Sequence, residues 1–350
     1  MTAEIIRIGI IGAGSNTRKM HIPKLQAIEG VQIVEVANRT TASAQKVADE
    51  FQIPTVRNHW QEIIDSKEVD AIVIGTWPYL HCEATCMALQ AGKHVLCEAR
   101  MAMDEVEART MLQASYKHPV CVVQVVPSPF TLHVDPTLLK KLDSGEIGTP
   151  RFFRFEYQAP PLVPMGGTLH WRRNKKYSGS NIMALGIIYE SLLRWFGSAE
   201  WVDAHAEVIN NRAVDPETNE EVEVEIPDYL SVQMKMTNGV MGSLFFHELS
   251  TRPASSSIKI YGDKGFFHLD FEMEGKLYQS TGPSHDLNEV QIPPEQAGKW
   301  RVEEEFINTI RGLEDIEYTT FTTGVEYMKF IQAVNESFNG DGERIAIPPG

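Results

Sequence analysis

A chain of 350 residues is long enough for two domains and a substantial core. Its 43% hydrophobic and 23% charged residues are the proportions of an ordinary soluble globular protein, and no apolar run approaches a membrane span. A net charge of −15 argues against nucleic-acid or anionic-membrane partners, either of which needs a basic stripe.

The β-branched run 5–11 ends in Gly12-Ala13-Gly14 and passes into a helix predicted over roughly residues 19–28. That order is the first strand–turn–helix of a dinucleotide site. Gly12 permits the tight turn, and Gly14 lets the backbone approach a pyrophosphate. Ser15, Asn16 and Thr17 open the helix, whose free N–H groups can bind phosphate charge. Strands follow at 32–37, 69–74, 94–98 and 119–126, separated by helices at 42–51, 82–91 and 104–116. Gly92 closes the middle helix. Apolar strands alternating with amphipathic helices predict a parallel, doubly wound α/β sheet covered on both faces, a Rossmann domain over 1–126. Pro127-Ser128-Pro129 breaks the rhythm.

Residues 127–350 read as a second, α+β domain. Phe153, Phe155 and Tyr157 alternate with charged residues, a half-buried strand. Hairpins are predicted around Thr237-Asn238-Gly239 and Gly262-Asp263-Lys264-Gly265, and a further strand at 276–280. Helices are expected at 135–144, 182–196, 302–311 and 323–339. The pattern implies a large, mainly antiparallel, open-faced sheet with helices on one face. The acidic stretch 215–225 reads as a solvated loop between strands.

Cys82, Cys86, Cys97 and Cys121 all lie in the first third and read as reduced thiols. With no signal-peptide pattern at the first residues, the expected location is cytoplasmic. Cys82 and Cys86 share a helix face but lack further ligands nearby in sequence, so no metal is expected.

Where the second strand ends, an NAD site places a carboxylate against the ribose 2′-hydroxyl. This chain has Asn38-Arg39-Thr40 instead. A guanidinium binds a 2′-phosphate that a carboxylate would repel, and Thr40 adds a hydroxyl. NADP is therefore expected in preference to NAD. The alternative for Arg39 is a plain surface charge at a strand end.

Gly12-Ala13-Gly14 with His21-Ile22-Pro23-Lys24-Leu25, then Thr76-Trp77-Pro78-Tyr79-Leu80-His81, then the run from Ala91 to Glu98, occur in a specific order. Ser144 to Pro150, Trp171-Arg172 with Ser178-Gly179, and Tyr261 to Gly265 continue it. In this order the chain resembles the glucose–fructose oxidoreductase/inositol dehydrogenase/rhizopine-catabolism (Gfo/Idh/MocA) family over nearly its whole length. The resemblance implies a Rossmann domain joined to an open-faced α/β domain, with sugar or cyclitol substrates bound between them. It implies homodimers or homotetramers formed through the open sheet, and places Thr76, Trp77, His81 and Glu98 near the cofactor. Buried packing is the alternative for His81.

Departures from the family pattern bear on chemistry at three positions and on helix packing at a fourth. Glu98-Ala99-Arg100 stands where many members carry Glu-Lys-Pro, so the lysine that bonds the reacting oxygen is absent. The family's later Asp and His fall on Ala184 and Ile188. Thr17 replaces the third glycine of the turn. Hydride transfer at a carbinol carbon still needs a proton acceptor or donor. Arg100 cannot exchange protons but can stabilise an alkoxide or bind a carboxylate; a phosphate contact or surface charge is its alternative. Tyr189 and Glu190 present a possible new acidic group, unless Glu190 simply pairs with Arg194 one turn on. His170 and Tyr177 are candidate proton donors in the polar loop that carries Trp171 and Arg172, candidate substrate contacts.

The expected activity is NADP-dependent oxidoreduction of a sugar, cyclitol or related polyol or ketone with a non-standard acid/base set. The alternatives are a nucleotide-retaining lyase or hydrolase, and a catalytically silent NADP(H)-binding regulatory protein.

Overall fold

The computed structural model describes residues 5–271, 275–282 and 286–348. Through residue 127 the chain runs β1 (Ile6–Ile11), a π-helical turn (Thr17–His21) continuing as α1 (Ile22–Gln26), β2 (Val31–Ala37), α2 (Thr41–Phe51), β3 (Thr55–Val56) and α3 (Trp60–Asp65). It continues as β4 (Ala71–Ile74), α4 (His81–Gln90), β5 (His94–Cys97), α5 (Glu105–Lys117) and β6 (Val123–Val125). The six strands are parallel in the order β3-β2-β1-β4-β5-β6. The winding reverses between β1 and β4, the switch point where such sheets bind ligands. Every residue of β4 is fully buried, as expected for a strand covered on both faces.

Local chemistry sets the helix starts. The Thr40 side chain accepts from Ser43 N to cap α2, and Asp104 accepts from Glu107 N to cap α5. β3 and α3 were not foreseen. β3 is two residues long, too short to show a period, and α3 opens on a His59–Glu62 capping box rather than on Ser or Thr.

From 128 to 300 the chain forms α6 (Asp135–Asp143), β7 (Pro150–Gln158), α7 (Lys175–Ser178), α8 (Leu185–Phe196), β8 (Ala199–Glu207), β9 (Arg212–Val214), β10 (Glu221–Glu223) and β11 (Tyr229–Met236). Then come β12 (Met241–His247), β13 (Ser255–Gly262), β14 (Gly265–Asp270), β15 (Lys276–Thr281) and β16 (Asn288–Glu289). α9 (Val302–Ile310), α10 (Phe321–Asn339) and β17 (Ile345–Ala346) complete the described chain. Nine strands make one sheet in the order β16-β15-β14-β13-β7-β12-β11-β8-β17, antiparallel except for the parallel β7–β12 pair. Phe153 and Phe155 are buried on one face, while Arg154 and Glu156 are exposed on the other. The Phe153 ring stacks on Phe196 of α8, and Gly242 leaves the room for it: a Cβ there would lie 2.1 Å from Phe153 Cζ.

The acidic stretch 215–225 is not simply a loop. β9 and β10 pair as a two-stranded hairpin, with Ala213 and Val224 in a small core beside Val163 and Leu169. The charged residues on its outer side obscure that short apolar alternation in the sequence.

The chain divides into two compact units, one of residues 5–127 with Arg301–Met328, the other of 128–300 with 329–348. A single boundary at 126/127 does not describe this division, because α9 and the start of α10 return to the first unit. There Gln124 Nε2 donates to Glu305, Glu317 N donates to Glu305 Oε1 (2.6 Å), and Val125 N donates to Thr319 O (3.0 Å). Among the described residues no helix is long and apolar enough to cross a membrane.

Candidate functional site

The turn after β1 is held by backbone geometry that only glycine accepts. Gly12 has φ +83°, and a Cβ there would sit 2.4 Å from Thr76 Cγ2 and 2.9 Å from Thr76 N. Gly75, at the end of β4, is an equally tight contact that the sequence did not reveal. Its Cβ would lie 2.1 Å from Thr17 Oγ1 and 2.3 Å from Gly12 O. In front of Gly14 the nearest atom to a Cβ is 3.5 Å away, so this part of the turn is open. Thr17 is buried in the third-glycine position, and its hydroxyl donates to Gly12 O (3.4 Å). Ser15 and Asn16 are exposed at the helix start.

A cavity of about 650 Å³ adjoins the turn, lined by Gly12, Gly14, Asn38, Arg39, Ser43, Thr76 and Trp77 among others. Arg39 is exposed there, its guanidinium carbon 5.8 Å from the Trp77 ring centroid. The lining carboxylate, Glu83, comes from α4 rather than from the end of β2. Asn38 and Thr40 also have structural duties. Asn38 Oδ1 accepts from Ala13 N (2.7 Å), which braces the turn, and the Thr40 hydroxyl is committed to the α2 cap. Thr76 Oγ1 is buried with no hydrogen-bond partner among the described residues. An open glycine cradle and an orphaned hydroxyl on the cavity wall fit a bound dinucleotide.

Glu98, just past β5, anchors a buried polar cluster. Its Oε1 accepts from Asn16 Nδ2 (2.5 Å) and His21 Nε2 (3.1 Å), and its Oε2 accepts from Ala99 N (3.1 Å). The other nitrogen of His21 lies 2.7 Å from Glu303 Oε1 on α9. Burial alone would favour the neutral ring, but the two carboxylates outweigh it and raise the His21 pKa to about 9. Both ring nitrogens therefore donate at neutral pH. Burial likewise works against the Glu98 carboxylate, yet His21 and Asn16 hold its pKa below the usual range. Sequence reasoning gave His21 and Glu303 no role. The two residues are 282 positions apart, and the one signal was the place of His21 in the helix after the turn.

His81 is a buried brace, as its packing alternative had it. Nδ1 faces Arg100 O (3.0 Å) and Met101 O (3.2 Å), while Nε2 faces Thr76 O (3.1 Å). Burial lowers its pKa despite these carbonyls. Met101 N donates to Tyr327 Oη (2.5 Å), so the segment after Glu98 is fixed from both sides. Arg100 is only 6% exposed, a buried cation rather than a surface charge.

In the second unit the loop 170–178 is polar and ordered by its own side chains. His170 Nδ1 accepts from Arg172 N (3.2 Å), which caps a single 3₁₀ turn (Trp171–Arg173). The Arg172 guanidinium lies 4.5 Å over the Trp171 ring, and Tyr177 Oη donates to Glu217 (3.2 Å). Arg173 is buried 3.5 Å from both Asp228 and Glu248, and burial lowers its pKa.

Tyr189 and Glu190 do not offer an acidic group. Each is 1% exposed. The Tyr189 ring stacks 3.7 Å from Phe330, and its hydroxyl accepts from Ala199 N (2.7 Å). Glu190 accepts from Ser128 N (3.1 Å) and from Arg194 Nη1 (2.6 Å), the i,i+4 pair. Nine of the twelve residues of α8 are buried, so neighbouring positions both face the interior. Among the described residues no group of three His, Cys, Asp or Glu is placed to hold a metal ion.

The fold and the turn define an NAD(P)-binding Rossmann unit joined to a mixed-sheet unit. Two family models match the chain: the oxidoreductase family with an NAD-binding Rossmann fold over residues 6–126, and the GFO/IDH/MocA C-terminal domain over 137–268. The chain belongs to the GFO/IDH/MocA oxidoreductase family. An oxidoreductase of Synechocystis sp. is 25% identical over 265 residues, 74% of this chain and 70% of that one. The trans-1,2-dihydrobenzene-1,2-diol dehydrogenase of Mus musculus is 26% identical over 298 residues, 84% and 82% of the two chains. A solved levoglucosan dehydrogenase in complex with NADH and L-sorbose shares the fold with a TM-score of 0.86 at 18% identity. That match covers 99% of this chain and 100% of the other.

Proposed function

We propose that this protein is an NADP-dependent oxidoreductase that interconverts an alcohol and a carbonyl group on a sugar, cyclitol or related polyol. The observation that carries the coenzyme choice is Arg39, exposed at the end of β2 on the cavity wall, where that strand end offers no carboxylate. A guanidinium forms two parallel charge-assisted hydrogen bonds with a phosphate. Gly14, Ser15 and Asn16 hold the pyrophosphate, and the orphaned Thr76 hydroxyl takes a further coenzyme oxygen. When bound, the coenzyme would give a hydride to the carbonyl carbon in its reduced form, or take one from the carbinol carbon in its oxidised form.

The substrate class is supported by the sugar and diol dehydrogenases among the relatives and neighbours. In the first unit, the buried Arg100 is the candidate for stabilising an oxyanion, since a guanidinium cannot exchange protons at working pH. In the second, Trp171 and Arg172 are candidates for holding the polyol, and His170 or Tyr177 for the proton. Self-association through the open sheet face accompanies this reading. Phe152, Tyr261 and Phe266 form a partly exposed aromatic row there, and analytical ultracentrifugation would detect the homodimer or homotetramer.

Binding constants for NADPH and NADH decide the coenzyme. Arg39→Leu is expected to weaken NADPH about 10- to 100-fold and leave NADH nearly unchanged, the value of hydrogen bonds to a charged group. Equal losses for both coenzymes would contradict the assignment. Turnover of a polyol panel followed by NADPH absorbance tests the chemistry. Bound NADPH with no turnover on any member would instead favour the silent, regulatory reading that Ala99, Ala184 and Ile188 suggest.

A further inference from the structure

We infer that the Glu98–His21–Glu303 cluster biases the first unit toward the oxidised form of its coenzyme. The inference rests on the dinucleotide reading above and asks what the cluster does for the bound molecule. Two carboxylates and one imidazole share the cluster, with the neutral amide of Asn16 on the Glu98 side. Glu98 comes from the end of β5, His21 and Asn16 from the helix after the glycine turn, and Glu303 from α9. His81, which also acts on Glu98, is buried and held toward its neutral form by that burial.

With His21 protonated, two negative groups and one positive group leave a net charge of −1. That charge has one open edge. The Glu98 side chain is 12% exposed, whereas those of His21 and Glu303 are 0% and 2% exposed. In this strand order a dinucleotide lies across the carboxyl ends of the strands, with its adenosine ribose at the end of β2. Its nicotinamide half then falls on the β4–β5 side, where Glu98 stands. The oxidised nicotinamide ring carries a positive charge and the reduced ring none. A fixed negative charge in a partly buried site attracts the first and is nearly indifferent to the second. Three features of the cluster thus act together: Glu98 presents the charge, His21 orients it, and Glu303 keeps the imidazole protonated.

Protonation of His21 makes the bias adjustable. As pH rises through about 9 the imidazole loses its proton and the cluster passes from −1 to −2. Preference for the oxidised coenzyme should therefore grow with pH. By reciprocity, the oxidised coenzyme lowers the His21 pKa more than the reduced one does.

Calorimetric titration of the full chain with NADP⁺ and with NADPH, at several pH values between roughly 7 and 10, reads the ratio of the two dissociation constants. The wild-type ratio is expected to move toward NADP⁺ on the order of tenfold across that range, the size of one unit charge in a partly buried site. Glu98→Gln keeps the shape and removes the presented charge, and should move the ratio toward NADPH by a similar factor. General damage to the unit would weaken both forms together and leave the ratio alone. A flat wild-type ratio, with the same ratio in Glu98→Gln, would overturn the inference while leaving the dinucleotide reading intact. Failure of the wild-type protein to bind either form would overturn both.

Discussion

Each unit buries a cation between two carboxylates, but with different cations. In the second unit Arg194 contacts Glu190 (2.6 Å) and Asp135 (3.0 Å), and Arg173 lies 3.5 Å from both Asp228 and Glu248. In the first unit His21 contacts Glu303 (2.7 Å) and Glu98 (3.1 Å). A guanidinium is charged at any working pH, so the arginine clusters are permanent braces. The imidazole titrates, so its cluster changes charge within an accessible pH range. One arrangement of charges therefore serves as a fixed tie in one place and as an adjustable one beside the glycine turn.

The largest effect should come from breaking a permanent brace. Arg194→Met leaves Asp135 and Glu190 buried without their cation and should cost about 3–5 kcal/mol in denaturant unfolding. A loss below about 1 kcal/mol would show that the cluster does not hold α6 and α8 together.

Next comes the titrating cluster. The folded pKa of His21, about 9, lies above the unfolded value near 6.5. Its stabilisation is fully present below roughly pH 6.5 and is lost as pH climbs through about 9. The loss should be on the order of 3 kcal/mol, visible as a falling thermal midpoint between roughly pH 6.5 and 9. In His21→Gln that dependence should flatten. An unchanged slope in the variant would assign the titration to another group.

Arg173→Met should cost less than Arg194→Met, about 2–3 kcal/mol. Its contacts are longer, and Asp228 keeps the backbone donors Ile209 N (2.7 Å) and Asn210 N (3.0 Å). If the two arginine variants proved equally destabilising, contact length would not be what separates the clusters. The smallest expected effect is Thr40→Ala, which removes the α2 cap and should cost about 1 kcal/mol. That loss should leave NADPH binding nearly unchanged, because the hydroxyl serves the helix; a large loss of affinity would return Thr40 to the coenzyme site.

Legibility followed sequence separation. β4 was plain because a strand covered on both faces is an unbroken apolar run, β1 and β5 because apolar residues dominate them around Arg7 and His94, and the glycine turn because Gly12 tolerates its φ. β8 was missed: its partly buried side chains show no clean alternation, and β11 and β17 supply its partners. At the candidate site, Gly12, Gly14, Arg39, Thr76 and Trp77 do line one cavity. Asn38, which lines it too, Thr40 and His81 also carry bracing bonds, because each of those polar groups has a backbone partner. Tyr189 and Glu190 misled because a helix buried nearly all round presents no polar face from which a cleft can be inferred.

By itself the sequence determined the doubly wound unit and its glycine turn, because these depend on residue type and local period. Tertiary structure alone decided that α9 rejoins the first unit, that Gly75 must be small, and that His21 is charged. Those outcomes depend on which groups meet after burial, and His21 meets a carboxylate 282 residues away that no local pattern announces.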